Sequence, residues 1–258
     1  MLRKIFCLKY FIPLFFLSLF LFVLLLVSCK KQTPSADSGV PDWENPAVFQ
    51  RNREAPHSTL ISFSDIESAR KGDPAASVHR KLLNGNWKFH WVDKPADAPP
   101  DFFKPKYDDS TWTSFPVPAI WEINGYGVPI YTDEAYPFPA DPPRVPHDIN
   151  PVGSYRHSFD VPAHWAGRQI YLEFGGVKSA MTLWINGKDV GYSQGSKTPA
   201  EFNVTKFVRR GTNLLAVQII RWSDGAYLEG QDYWKISGIE RDVVLSSRPP
   251  ARSSTSRP

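Results

Sequence analysis

Three stretches of the 258-residue chain gather side chains that a plain apolar core does not require. Residues 121–138 interleave Glu122, Asn124, Asp133 and Glu134 with Trp121, Tyr126, Tyr131, Tyr136 and Phe138. Residues 221–235 place Arg221, Asp224, Glu229, Gln231, Asp232 and Lys235 among Trp222, Tyr227, Tyr233 and Trp234. A third stretch, residues 150–156, carries Asn150, Ser154, Tyr155 and Arg156 into an alternating run. Aromatic faces accept the C–H patches of a sugar, and planar carboxylates and amides take its hydroxyls. The mixture suits a carbohydrate.

Other chemistries fit less well. Glu229 and Asp232 could be read as a glycosidase pair, but a retaining hydrolase holds its carboxyls ~5 Å apart across the sugar, usually from separate elements. Two acids three apart on one loop read instead as a turn and a solvated edge, and no catalytic residue is assigned. His57, His79, His90, His147, His157 and His164 show no ligand spacing. Phosphate-binding glycine loops and a Gly-x-Ser-x-Gly elbow are absent.

The elements that must position these groups are strands. Trp87, Phe89 and Trp91 alternate, as do Ile170, Leu172 and Phe174, and Leu215, Val217 and Ile219, while Tyr155, Phe159 and Val161 share a parity. Trp87, Trp91 and Trp184 are expected in the core on the same argument. Asn186-Gly187 between two apolar runs predicts a β-hairpin, because both residues tolerate the positive φ of a type I′ turn. Helix signals are few: a short capped turn at residues 64–70 and a helical turn within 200–208. With 24 prolines and long aromatic-rich loops such as 116–151, the expectation is an all-β, two-sheet antiparallel sandwich of jelly-roll type.

Both ends read differently. Arg3, Lys4 and Lys9 precede an apolar run over residues 11–27, and Leu26-Val27-Ser28-Cys29 resembles a bacterial lipoprotein signal. Residues 1–28 are therefore expected to be a signal peptide, Cys29 the lipidation site, 29–41 a flexible tether, 42–246 the folded domain and 247–258 a disordered tail. The expected location is outside the cytoplasm, anchored at a membrane on the periplasmic side or cell surface. Removing the signal takes away three of 30 cations and no acid, leaving 27 against 26, so the sequence pI near 9.0 belongs mainly to the signal. No basic run remains to support nucleic-acid binding. With Cys7 lost and Cys29 acylated, no thiol chemistry is left.

Four motifs fall in the order of a known family: Asp42-Trp43-Glu44-Asn45-Pro46; Leu83-Asn84-Gly85-Asn86-Trp87-Lys88-Phe89; Gly125-Tyr126 to Pro129-Ile130-Tyr131-Thr132; and Arg221-Trp222-Ser223-Asp224-Gly225 through Gln231-Asp232-Tyr233-Trp234. The chain from Asp42 onward resembles the N-terminal region of bacterial β-galactosidases of glycoside hydrolase family 2. The resemblance implies a galactose-binding-domain-like jelly roll that packs against a (β/α)8 barrel and completes its sugar pocket. It implies that Asp232 lies near substrate and helps hold sodium, and that Asp133 contacts substrate where the family carries Asn. Sodium and magnesium are the cofactors it implies for the full-length enzyme, and a β-galactoside, the barrel and the membrane the partners. The family's acid/base and nucleophile glutamates lie in the barrel, which needs ~250 further residues. The expectation is therefore a truncated form inactive on its own; a stand-alone tethered carbohydrate-binding module or an assembly subunit is the alternative.

Overall fold

In the computed structural model, which describes residues 39–250, sixteen short strands form antiparallel sheets. They are β1 (Gln50–Arg51), β2 (Arg80–Leu82), β3 (Gly85–Val92), β4 (Thr113–Val117), β5 (Ala119–Ile120), β6 (Ile130–Thr132), β7 (Val152–Val161) and β8 (Gln169–Phe174). The rest are β9 (Val177–Lys178), β10 (Ala180–Ile185), β11 (Lys188–Ser193), β12 (Ala200–Asn203), β13 (Gly211–Ile220), β14 (Tyr233–Lys235), β15 (Gly238–Ile239) and β16 (Val243–Arg248). A seven-stranded sheet runs β1-β11-β10-β13-β7-β3-β4 and a four-stranded one β12-β8-β16-β2. Two small sheets, β14-β6 and β5-β15-β9, stand beside them.

The alternating residues explain the layering. Trp87 and Phe89 of β3, Tyr155 and Phe159 of β7, Leu183 and Ile185 of β10 and Leu215, Val217 and Ile219 of β13 meet Ile170, Leu172 and Phe174 of β8, Phe202 of β12 and Leu245 of β16 in one core. A two-sheet sandwich follows, because each sheet buries one face against the other. Asn186 and Gly187 take φ of 53° and 81° and close the β10–β11 hairpin, as their types require.

Several expectations need correction. Trp87 lies in the core, but Trp91 is half-buried at its margin, and Trp184 has the opposite parity to Leu183 and Ile185. Trp184 stacks on Phe103 at 5.0 Å, within an outer aromatic cluster that also holds Phe102 and Trp112. That cluster covers the outer side of the large sheet, which is why Ala216, between two core residues of β13, is also fully buried. Arg156 of the third polar stretch serves this layer: it donates to Asp109 at 2.6 Å and to the carbonyls of Phe102, Lys104 and Tyr107. Residues 200–203 are strand, and the helical turn is confined to Val204–Val208, where the Val208 amide donates to the Val204 carbonyl at 3.2 Å. The capped turn at 64–70 is a six-residue helix, α1 (Ile66–Lys71), whose start is held by Asp65 accepting from the Ser68 amide at 2.8 Å. β16 continues to Arg248, so Ser247 and Arg248 pair with β8 rather than lying in the tail. The signal, Cys29 and most of the tether lie outside the described residues.

One buried ion pair fixes the small sheets. The Arg221 and Glu122 side chains, 5% and 0% exposed, approach to 3.4 Å. Arg221 also donates to the carbonyls of Val128 (2.9 Å) and Lys235 (2.7 Å), while Glu122 accepts from the Ser237 amide at 2.9 Å. Burial pushes the Glu122 carboxyl up, and Arg221 pulls it back; burial likewise lowers Arg221. The guanidinium thus ties the entry to β6 to the end of β14. Gly153 provides the floor: a Cβ there would stand 2.3 Å from the Trp121 ring and 2.8 Å from Phe89, so only glycine lets the Trp121 turn pack down.

Two stability outcomes follow from these contacts. Arg221→Met strands a buried carboxylate and should lower unfolding free energy by about 3–5 kcal/mol in urea denaturation, whereas Arg221→Met/Glu122→Leu should recover most of that loss. Wild-type stability for Arg221→Met alone would contradict the assignment. Gly153→Ala, which forces ring and backbone apart, should cost about 1–3 kcal/mol, seen as a lowered Tm.

Candidate functional site

The two acids singled out by the sequence meet at the end of the β6–β14 ribbon. Its register pairs Tyr233 with Thr132, Trp234 with Tyr131 and Lys235 with Ile130. Asp133 and Asp232 therefore flank the ribbon's open end, where the Asp232 amide donates to the Asp133 carbonyl at 3.1 Å. Asp232 takes φ of 48°, a left-handed conformation that aspartate tolerates better than most residues. The Tyr131 hydroxyl donates to Asp232 Oδ1, and that bond raises the phenol above its ordinary value. Both carboxylates face outward.

Aromatic surface accompanies them. Tyr131, Tyr233 and Trp234 are 53%, 43% and 51% exposed, and the Tyr131 and Trp234 rings lie 5.5 Å apart. Val128 and Leu228, from the loops at either side, are more exposed still. Exposed rings beside outward carboxylates offer the two contacts a sugar uses, apolar stacking and hydroxyl acceptance.

Cations lie beneath the loop that carries Asp232. Lys235 donates to the Gly230 carbonyl, and Lys197 pairs with Glu240 at 2.6 Å while resting 4.8 Å from the Tyr233 ring centre. Lys178 is buried, and burial lowers its ammonium. Glu229 accepts from the Ser196 amide at 2.9 Å, which ties the loop to the strand connection below. The Glu229 and Asp232 carboxylates thus serve different partners.

The cavity at the ribbon is small. A space of about 150 Å³ is lined by Asp133, Glu134, Tyr136, Glu229, Gln231 and Lys235, well below the ~300–1,000 Å³ of a complete ligand pocket. Larger spaces lie elsewhere. One of about 500 Å³ between Phe138, Val145 and Trp222 is mostly apolar and contains neither Asp133 nor Asp232. Size alone would favour it, but Asp133 lines the smaller space, with Asp232 and the ribbon rings outside its lining.

The expected cations can be tested against the donors present. Among the described residues no cluster of three or more His, Cys, Asp or Glu side chains could hold a metal. Asp232 offers sodium one hard oxygen, with Tyr131 already on the other side, so a complete shell needs donors beyond this set. Asp224 suits magnesium better in one respect: its Oδ1 is buried with no hydrogen-bond partner, and Asn45 and Gln194 line the same cavity of about 330 Å³.

Sequence reasoning named both ribbon acids but missed Tyr131 as the partner of Asp232 and the Glu122–Arg221 pair that anchors them. Both pairings join residues about a hundred positions apart, and only Tyr131, two residues before Asp133, carried a local signal.

The chain is similar to several known proteins. Residues 80–249 match the family described as glycosyl hydrolases family 2, sugar binding domain. The β-galactosidase of Priestia megaterium is 42% identical over 217 residues, covering 82% of this chain and 21% of that protein. The β-galactosidase of Yersinia enterocolitica is 44% identical over 209 residues, 81% of this chain and 19% of that protein. Among solved structures, β-glucuronidase 2 of Bacteroides uniformis aligns with a TM-score of 0.50 and 29% identity, over 66% of this chain and 18% of that one. The chain spans about a fifth of the length of the curated relatives it matches. On this evidence the chain belongs to glycosyl hydrolase family 2 and carries that family's sugar-binding domain.

Proposed function

We propose that the chain supplies one wall of the sugar pocket of a β-galactosidase that cleaves terminal β-D-galactosides with retention. The observation that carries this reading is the exposed ribbon end, where Asp133 and Asp232 meet beside the rings of Tyr131, Tyr233 and Trp234. Asp133 and Asp232 accept hydrogen bonds from sugar hydroxyls, and Trp234 or Tyr131 covers an apolar face of the ring. The remaining wall and the two catalytic glutamates come from a (β/α)8 barrel, a fold that the described residues do not contain. Val128, Leu228 and the ribbon aromatics form the apolar surface on which that barrel docks.

The role of this chain is binding and orientation. Asp232 adds an oxygen to a sodium ion completed by other donors, and Asp224 is the residue best suited to magnesium; a bound cation supplies charge that polarises or anchors sugar hydroxyls. Arg221 and Glu122 hold the ribbon still, so the carboxylates are presented rather than sought. Export follows the same proposal: cleavage after residue 28 and lipidation of Cys29 tether the domain to a membrane.

Hydrolysis of a nitrophenyl galactoside tests the reading. The purified chain alone should show no turnover, and adding a relative's polypeptide that lacks its own N-terminal domain should restore it. Asp232→Ala should then lower kcat/KM at least about tenfold, the loss of a hydrogen bond to a charged group. Turnover by this chain alone, abolished by Asp232→Ala, would overturn the division of labour. Asp133→Asn, which replaces a charged acceptor with a neutral one, should loosen galactoside binding by about fivefold, read as a higher KM in the same assembled mixture.

A further inference from the structure

Residues 54–63 form no regular structure; they leave β12, one edge of the four-stranded sheet, and end beside Ser77, just ahead of β2 at its other edge. Edge strands expose unpaired backbone groups and are commonly covered. Here the cover begins with an isolated bridge between Arg53 and Phe202 and with the Glu54 amide donating to the Glu201 carbonyl at 2.8 Å. Its far end is fastened where the Ser77 hydroxyl donates to the Ser62 carbonyl at 2.5 Å. Between these points, among the described residues, the side-chain hydrogen bond from the segment to the sheet is made by His57.

The geometry at His57 is unusual for a neutral imidazole. Nε2 lies 2.9 Å from Glu201 Oε2 and Nδ1 lies 2.7 Å from the Ser58 carbonyl, so both ring nitrogens face acceptors. A neutral ring has one N–H and can satisfy one of them; the imidazolium satisfies both. Arg248 donates to the other oxygen of Glu201. Glu173, directly opposite Glu201 across the β8–β12 pair, adds a second carboxylate to the surroundings. The charged groups facing His57 are thus Glu201 on β12, Glu173 on β8 and Arg248 on β16, with Arg80 on β2 and Asp242 at 3.7 Å from it further out.

We propose that residues 54–63 are a proton-sensitive strap, held to Glu201 of β12 by the doubly bonded His57 imidazolium and released when His57 loses its proton. Arg53 stays anchored through its bonds to Ser193 Oγ and the Gln194 carbonyl, both 2.9 Å, so release starts at Glu54. Opening removes a donor from Glu201 and leaves it facing Glu173 with Arg248 alone as counter-ion.

The direction of the pH effect is fixed by the contacts. The Ser58 carbonyl and Glu201 hold His57 above the ordinary imidazole value, against desolvation and Arg248. The strap's stabilisation is therefore complete below about pH 6.5 and lost as pH rises through the folded-state titration.

Amide hydrogen exchange of the full chain, corrected for intrinsic rates, tests this between pH 5.5 and 8.5. Exchange at the Glu54 amide, which donates to the Glu201 carbonyl, should accelerate about tenfold across the His57 titration followed by NMR, the loss of one charge-assisted hydrogen bond, while β7 and β13 stay unchanged. His57→Ala should exchange at the fast rate at both pH values. Glu201→Gln should weaken protection at low pH. Equal protection of the wild-type strap at both pH values, a pH response that survives His57→Ala, or acceleration shared by β7 and β13 would overturn the proposal.

Discussion

The candidate site depends on a guanidinium in the wrong solvent. Arg221 is buried with Glu122, where each charge loses water that only close partners replace. The partners are specific: one carboxylate and two carbonyls, from segments before β6 and at the end of β14. Desolvation makes the pair costly to break, so the two segments behave as one unit. Without that tie a three-residue ribbon outside the main sheets would have little to hold it.

The sandwich contributes rigidity at one remove. Its core packs Phe89, Phe115 and Tyr155 against Trp121, and Trp121 in turn donates to the Tyr155 hydroxyl and begins the turn that carries Glu122. The absence of a side chain at Gly153 allows that descent. A continuous line of contacts thus runs from the β7 backbone to the outward carboxylates of Asp133 and Asp232. The aromatics at the end of this line are exposed, a state that makes physical sense for a surface awaiting a ligand or a partner.

Much of the scaffold was legible in the sequence because strand periodicity is local. Alternation identified β3, β7, β8 and β13, and Asn186-Gly187 identified a hairpin by backbone conformation alone. Alternation says that neighbours face opposite ways, but not which side has the cover; Trp184 was assigned to the core when it packs under Phe102 and Phe103 on the outer face. The helical turn expected within 200–208 lies at its C-terminal half, after a strand that four residues carry too little pattern to reveal. The candidate site was legible only in part. Asp133 and Asp232 were named through family resemblance, while Tyr131, Lys235 and the Glu122–Arg221 pair depend on contacts between distant segments that spacing does not encode.

The central claim is that the Asp133–Asp232 ribbon is one wall of a galactoside pocket completed by a barrel. Tyrosine and tryptophan side-chain NMR signals report on it directly, because Tyr131, Tyr233 and Trp234 surround the site. Titrating a β-galactoside into the chain together with a family 2 polypeptide bearing the barrel should give saturable shifts of the Tyr131 and Trp234 signals, with little response when the chain is titrated alone. Shifts confined to Phe138 and Trp222 at the larger apolar cavity, or no response at the ribbon in the presence of the barrel, would contradict the account.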